Sequence, residues 1–103
     1  MSRPRKLTDR QVDAALRRLN GWSYDAGRLH KAFKFRDFGE AFGFMVQVAL
    51  AADRLNHHPE WCNSYNRVTI DLTTHEAGGI TARDIELARR IEQILARPTP
   101  APA

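Results

Sequence analysis

Three of the four histidines of this chain lie in two short polar segments. His57 and His58 are adjacent, and His75 stands further along the chain, just before a Gly-Gly pair. Asp53 precedes His57 by four residues, so the two side chains can share a helix face if the helix extends that far. Because imidazole titrates near neutral pH and a neighbouring carboxylate can fix its tautomer, these groups are suited to acid–base catalysis.

Each of these residues also has a purely structural interpretation. A histidine at a helix end commonly interacts with the last carbonyl groups of that helix. Trp61 would suit a core position at the start of a strand, Asp84 is accounted for by a helix capping box, and Asp53 could be a solvated carboxylate. The coincidence of three histidines and a tryptophan at the ends of predicted elements nevertheless favours a catalytic site.

Metal binding and cysteine nucleophilic catalysis are both disfavoured by the spacing. Zinc requires three or four ligands, and suitable ligand atoms occur at His57, His58, His75 and Cys62. Adjacent histidines seldom point at one ion, however, and neither a CxxC nor an HExxH motif occurs. Cys62 lies in a strand pattern without an obvious activating neighbour. We therefore predict no metal site and no cysteine nucleophile.

Three helices are predicted from capping residues that are followed by apolar side chains at helical spacing. The first ends at Asn20-Gly21. The second runs to about Asn56, since Pro59 disfavours helical geometry at His58. The third follows the break at Gly78-Gly79. The capping pairs are Thr8 with Gln11, Asp37 with Glu40, and Thr81 with Asp84; the apolar faces are Val12, Ala15, Leu16 and Leu19 in the first helix and Ile85, Ala88, Ile91 and Leu95 in the third.

Two β-hairpins are predicted between the helices. The first joins strands at 22–24 and 28–35 through Asp25-Ala26-Gly27, and the second joins strands at 62–66 and 68–75 through Asn66-Arg67, so that His75 ends the last strand. The element order α-β-β-α-β-β-α predicts an α+β fold in which an antiparallel sheet is covered by helices on one face. The residues expected to face the helices are Leu29, Phe33 and Phe35 in the first hairpin and Val68, Ile70 and Leu72 in the second.

The length and composition indicate one small domain. A chain of 103 residues has room for a single domain, and we expect a basic arm at 1–6, the domain at 7–96 and a Pro/Ala tail at 97–103. The sequence contains no stretch of about eighteen apolar residues, so no membrane span is predicted. The single cysteine excludes an internal disulfide and fits a reducing cytoplasm. The net charge of +4 is interpreted as a solvated basic surface.

The second predicted helix is apolar on every side. From Ala41 to Ala52 only Gly43 and Gln47 fall outside the apolar set. Such a helix must be covered on more than one side, and the sheet of so small a domain covers only one of them. We therefore expect a homodimer or homotetramer in which a second subunit covers the remaining side.

A series of motifs in a fixed order and spacing extends from roughly residue 7 to residue 96. They are His57-His58-Pro59-Glu60-Trp61, Tyr65-Asn66, Thr74-His75-Glu76, then Gly79, Thr81 and Arg83, with Phe35-Arg36-Asp37-Phe38, Ala41-Phe42-Gly43-Phe44-Met45 and Val48-Ala49 upstream and Asp84-Ile85-Glu86-Leu87-Ala88 with Ile91-Glu92 at the end. Together these motifs resemble the pterin-4a-carbinolamine dehydratase family. The resemblance implies a four-stranded antiparallel sheet with three helices on one face.

The same resemblance implies a reaction and a substrate. Family members remove water from a 4a-hydroxytetrahydropterin to give the quinonoid dihydropterin, which is recycled for aromatic amino-acid hydroxylases. The reaction involves no redox change, so no cofactor is expected. The implied partners are therefore a small pterin and, through its product, a hydroxylase.

The resemblance also implies roles for individual residues. His57 and His75 would serve as acid and base, and His58 would hold or help to process the pterin. Asp53 would orient a histidine, although it stands where the family often has the longer glutamate. Asn56 replaces an acidic residue of some relatives. The side chains expected to line or support the site are Asn56, Trp61, Thr74, Glu76, Arg83 and Asp84.

A binding role and RNA recognition are the alternatives. Relatives in the family that the chain resembles also act as dimerisation cofactors for a homeodomain transcription factor, and the apolar second helix would supply the surface. The segment Lys31–Phe38 superficially has the basic and aromatic pattern of an RNP1 motif. Ala32, Lys34 and Arg36 depart from that motif, and an RRM has two βαβ units. We therefore expect no direct nucleic-acid partner and no membrane partner.

Overall fold

The structure is a computed structural model that describes residues 4–97. The arm predicted at 1–6 is therefore described only from residue 4 onward. The tail predicted at 97–103 lies outside the described residues, apart from Arg97. Within the described range, no helix is both long enough and apolar enough to cross a membrane.

Three α-helices form where the capping residues predict them: α1 at Asp9–Leu16, α2 at Phe38–Leu55 and α3 at Ala82–Ala96. Thr8 and Thr81 each form a complete capping box with the residue three positions later. The Asp37 side chain accepts a hydrogen bond from the backbone N–H of Glu40 at 2.8 Å. These contacts determine where each helix begins, because they satisfy N–H groups that have no partner within the helix.

Four strands form one antiparallel sheet: β1 at Ser23–Asp25, β2 at Arg28–Lys34, β3 at Glu60–Ser64 and β4 at Arg67–Leu72. Their order in the sheet is β1-β2-β4-β3, and every neighbouring pair is antiparallel. The predicted α+β fold with the order α-β-β-α-β-β-α is therefore confirmed.

The turn of the second hairpin differs from the prediction. It consists of Tyr65 and Asn66 rather than Asn66 and Arg67, and Tyr65 has a left-handed backbone with φ 50°. The side-chain amide of Asn63 donates to the carbonyl oxygens of Tyr65 and Arg67 at 3.1 and 2.8 Å. These side-chain hydrogen bonds to the backbone stabilise the turn one residue earlier than the dipeptide preference suggests.

The end of the last strand also differs from the prediction. β4 stops at Leu72, and Thr74 then forms an isolated bridge with Gly79. His75 begins a short 3₁₀ turn, His75–Ala77, that leads into the Gly-Gly segment. His75 is thus held by a turn beyond the sheet, where its side chain is not restricted to one face of a strand.

One face of the sheet packs against the helices, and the other is open. The apolar strand residues predicted to face the helices are buried, except that Phe35 is half-buried. His30 and Lys34, which alternate with them along β2, are exposed. The hydrophobic core therefore lies between the sheet and the three helices, as the period-2 pattern predicts.

The helix α2 is covered on only one side by its own chain. Its buried residues are Ala41, Phe44, Val48 and Ala52. On the outer side, four large apolar side chains at every fourth position are between 45% and 59% exposed; we call them the α2 stripe, and they are Phe38, Phe42, Val46 and Leu50.

Candidate active site

The predicted site residues gather at one end of the sheet. α2 ends there at Leu55, β3 begins there at Glu60, and β4 ends there at Leu72. β2 begins at the same end, since Leu29 pairs with Leu72. The antiparallel order therefore brings segments that are far apart in sequence to the same end of the sheet.

The exit from α2 separates the two adjacent histidines. Asn56 adopts a left-handed conformation immediately after the helix, with φ 49° and ψ 42°. The backbone N–H of His57 then donates to the carbonyl oxygen of Ala52 at 3.0 Å. This is the Schellman pattern, and asparagine tolerates its left-handed position better than most residues. As a result, His57 is buried and His58 is exposed.

His57 is held by the buried carboxylate of Asp84 in the first turn of α3. Nε2 of His57 lies 2.5 Å from Oδ1 of Asp84, and the two residues are 8% and 0% exposed. Oδ2 of Asp84 accepts from the hydroxyl of Thr74 at 2.7 Å and from the backbone N–H of Thr81 at 2.9 Å. Both carboxylate oxygens are thus hydrogen-bonded, which a buried charge requires.

The histidine that Asp53 contacts is His58 and not His57. Oδ1 of Asp53 lies 3.1 Å from Nε2 of His58 instead, because the left-handed Asn56 takes His57 away from the helix face that carries Asp53. Asp53 and His58 are both exposed. Asp84 is the residue that orients His57, so its carboxylate contributes more than a helix cap.

Glu60 belongs to the site although the sequence did not single it out. Its Oε1 lies 2.7 Å from Nε2 of His75, and its Oε2 accepts a hydrogen bond from the guanidinium of Arg28 on β2. The guanidinium of Arg28 first, and His75 second, hold the pKa of the Glu60 carboxyl below its ordinary value of 4.5. The only signal in the sequence was the position of Glu60 within the run from His57 to Trp61.

Three carboxylates determine which nitrogen of each imidazole carries a proton. An ionised carboxylate can only accept, so we assign the donor role in each pair to the Nε2 that faces it. His57, His58 and His75 all contact their partner through Nε2. In the neutral form of each ring, Nδ1 is therefore the nitrogen left to take up a proton.

The remaining predicted residues have different structural roles. Arg83 donates to Oε1 of Glu76 at 3.3 Å, which ties the start of α3 to the 3₁₀ turn. Trp61 is half-buried and pairs in register with Ile70, which is buried on the helix side of the sheet. Asn56 is exposed, and its clearest role is the backbone turn described above.

Two surface hollows are lined by residues other than the predicted site residues. One lies between α1 and α3 and includes Arg18 and Arg89. The other lies between α2 and α3 and includes Arg54, Arg90 and Arg97. Neither is lined by a histidine or a carboxylate, so neither offers the acid–base chemistry found at the end of the sheet.

Between residues 4 and 97, no group of three or more His, Cys, Asp or Glu side chains is placed to hold a metal ion. Cys62 is an exposed free thiol on β3. The histidine-containing end of the sheet is therefore the candidate active site.

Known proteins are similar in sequence to this chain over most of its length. Residues 5–94 match the family described as Pterin 4 alpha carbinolamine dehydratase. Two relatives carry the name "Putative pterin-4-alpha-carbinolamine dehydratase". The one from Solibacter usitatus (strain Ellin6076) is 53% identical, covering 88% of this chain and 96% of its own length. The one from Rhodopseudomonas palustris (strain BisB18) is 54% identical, covering 93% and 97%.

A solved structure shares the fold as well. A crystal structure from Brucella melitensis, described as a transcriptional coactivator/pterin dehydratase, matches with a TM-score of 0.84 and 47% identity, covering 86% of this chain and 97% of that chain. The family match includes the last turns of α2 and its exit, the start of β3, the 3₁₀ turn with the preceding Thr74, and the start of α3, where the predicted site residues lie. On this evidence, the chain belongs to the pterin 4 alpha carbinolamine dehydratase family.

Proposed function

We propose that the chain dehydrates a 4a-hydroxytetrahydropterin, eliminating water across C4a and N5 to give the quinonoid dihydropterin. Membership of the family supports the class of substrate. The observation that carries the proposal is the buried His57–Asp84 pair, which lies at the same end of the sheet as the exposed pair of His75 and Glu60. Two imidazoles with fixed partners supply one group that can donate a proton and one that can accept it.

The elimination requires two proton transfers and no oxidation or reduction. Hydroxide is a poor leaving group, so the C4a hydroxyl must receive a proton as the C–O bond breaks. N5 gives up its proton, and the electron pair of the N5–H bond forms the new N5=C4a bond. One imidazolium supplies the first proton and one neutral imidazole takes the second, so the products are water and the quinonoid dihydropterin. Nicotinamide, flavin and metal are not needed for these steps.

The site residues divide into those that act on the pterin and those that act through a histidine. His57 and His75 are the proposed acid and base, each exchanging a proton at Nδ1. The carboxylate beside each ring stabilises the imidazolium form. His58, steadied by Asp53, is proposed to hold the pterin. Trp61, Thr74, Glu76 and Arg83 line or support the site, Asn56 shapes the α2 exit, and Asp84 positions His57.

A stopped-flow assay tests this proposal by following the absorbance of a 4a-hydroxytetrahydropterin with and without the protein. His57→Ala and His75→Ala should each lower turnover by about a hundred- to ten-thousand-fold, as expected for loss of an acid or base. His30→Ala is the matched control, because His30 is also exposed and paired with a carboxylate, that of Asp71 at 2.7 Å. It should keep wild-type turnover. Wild-type turnover in both of the first two variants would refute the proposal.

We also propose a cytoplasmic homodimer or homotetramer whose product is recycled for an aromatic amino-acid hydroxylase. The α2 stripe supports self-association, because a contiguous row of large apolar side chains is costly to leave in water. The single cysteine and the nature of the reaction support the other two points.

A second candidate function is binding to another protein through α2. The α2 stripe favours it, together with the description of the similar Brucella melitensis structure as a transcriptional coactivator/pterin dehydratase. Self-association and partner binding would compete for the same surface. A chain that is monomeric and that does not accelerate the dehydration would favour the binding function over the enzymatic one.

A further inference from the structure

Glu60 connects two side chains from different parts of the fold. Its Oε1 faces Nε2 of His75 at 2.7 Å, and its Oε2 accepts from the guanidinium of Arg28. Glu60 begins β3, His75 begins the 3₁₀ turn after β4, and Arg28 begins β2. One carboxylate thus bridges a proposed catalytic histidine to an arginine that lies two strands away.

The register of the sheet explains why Glu60 is available for both contacts. Glu60 lies directly opposite Asp71 of β4, and Asp71 lies directly opposite His30 of β2. Asp71 is hydrogen-bonded to His30 at 2.7 Å. The charged and titratable groups around Glu60 are therefore Arg28, His75 and Asp71, with His30 beyond Asp71. Arg28 and His75 are the two that contact Glu60.

We propose that Glu60 is a positioning residue for His75 and that Arg28 in turn positions Glu60, an inference that rests on the dehydratase function proposed above. The carboxylate accepts from Nε2–H of His75, which leaves Nδ1 as the nitrogen that takes the proton from N5 of the pterin. When the ring becomes an imidazolium, the adjacent carboxylate balances the new positive charge.

The exposure of these side chains favours a role in catalysis over a role in folding. The side chains of His75, Glu60 and Arg28 are 74%, 46% and 39% exposed, and exposed ion pairs contribute little to the free energy of unfolding. An imidazole so exposed has little packing to fix its ring, so the hydrogen bond that His75 donates to Glu60 sets its orientation. Arg28 also keeps Glu60 ionised, since it holds the pKa of that carboxyl below its ordinary value.

A double-mutant cycle on turnover tests the positioning role in the full chain. Glu60→Ala should lower kcat about tenfold and change KM by less than about twofold, because the lost contact acts on the reacting ring rather than on pterin binding. In a His75→Ala background the same substitution should have no further effect, because Glu60 acts through that ring. Glu60→Gln retains an acceptor oxygen without the charge and should give an intermediate kcat.

Two further variants separate the contact from the general charge of the sheet face. Asp71→Asn is the matched control: it removes a carboxylate directly opposite Glu60, but the partner of that carboxylate is His30. It should keep wild-type kcat. Arg28→Gln should lower kcat less than Glu60→Ala does. An NMR titration should also show that Arg28→Gln moves the pKa of the Glu60 carboxyl up toward 4.5.

Two results would overturn the positioning role while the wild-type chain is active. One is wild-type kcat in Glu60→Ala; the other is an equal loss from Glu60→Ala with and without His75. A wild-type chain that does not accelerate the dehydration would reject the dehydratase function and the positioning role with it. The NMR titration would then still report whether Arg28 acts on Glu60, independently of any pterin.

Discussion

Nε2 of His57 lies 2.5 Å from Oδ1 of Asp84, although one residue follows α2 and the other lies in the first turn of α3. Asp84 also completes the capping box of α3 by accepting from the backbone N–H of Thr81. One carboxylate therefore starts a helix and orients a proposed catalytic histidine. Substitutions at this position should affect stability and catalysis in ways that can be separated.

Asp84→Asn should preserve the fold and impair turnover. The asparagine oxygen is expected to stay with Thr74 and Thr81, which donate to it, so its NH₂ group would face Nε2 of His57. That nitrogen would then have to accept, which moves the ring proton to Nδ1. Turnover should fall by about a hundred- to ten-thousand-fold. Stopped-flow rates check the loss, and ¹⁵N spectra of the His57 ring check the tautomer.

Asp84→Ala should destabilise the chain as well. It removes the partner of a buried imidazole and leaves Thr74 and Thr81 without their acceptor. Breaking a buried pair in this way costs about 3–5 kcal/mol of unfolding free energy. Urea denaturation of the two Asp84 variants measures the difference. Equal stability of Asp84→Ala and wild type would contradict the buried contact.

The left-handed backbone at Asn56 predicts opposite effects of two substitutions. Asn56→Gly should leave stability nearly unchanged, because glycine adopts φ 49° without strain. Asn56→Val should cost about 1–2 kcal/mol, because a β-branched side chain clashes with the backbone in this conformation. Urea denaturation checks both. If the valine variant is as stable as the glycine variant, the α2 exit does not have this geometry.

Glu60 should contribute to stability in a pH-dependent way. Arg28 and His75 hold the pKa of its carboxyl in the folded chain below the ordinary value of 4.5. The unfolded chain therefore binds the proton at higher pH than the folded chain does. The contribution is fully present above pH 4.5 and is lost as the pH falls through the lower folded-state pKa.

Thermal melting of wild type and Glu60→Gln over this pH range measures the effect. Wild type should be slightly more stable near neutral pH, with only a small difference because the pair is exposed. The difference should shrink toward zero on acidification. A difference that grows as the pH falls would have the wrong sign for a lowered pKa.

The α2 stripe predicts an assembly that one charge can disrupt. Light scattering of the wild-type chain should give two or four times the 11.7 kDa of a single chain. Phe42→Lys should shift the mass to that of a single chain, because a lysine at such an interface leaves a desolvated charge without a partner. Ala32→Lys, on the open face of the sheet, is the control and should not change the mass. A wild-type mass of 11.7 kDa would contradict the prediction.

The sequence alone determined the order and type of the elements and where the helices begin, but the first helix ends at Leu16 rather than at Asn20-Gly21, and β4 ends at Leu72 rather than at His75. Capping pairs such as Thr81 with Asp84 act over three residues, and the alternation of Val68, Ile70 and Leu72 acts along one strand. Both are local effects, so they can be recognised without knowing the rest of the fold. The family motifs likewise identified the three histidines, because the motifs that contain them, His57–Trp61 and Thr74–Glu76, are each contiguous in the chain.

Only the tertiary structure decided which carboxylate is hydrogen-bonded to which histidine. Local spacing favoured Asp53 for His57, but a single left-handed residue, Asn56, redirected the chain and left Asp84 as the partner. Glu60 was not singled out for the same reason: its contacts with Arg28 and His75 depend on strand order and register. Hydrogen bonds between residues far apart in sequence follow from how elements pack together, which short-range patterns do not encode.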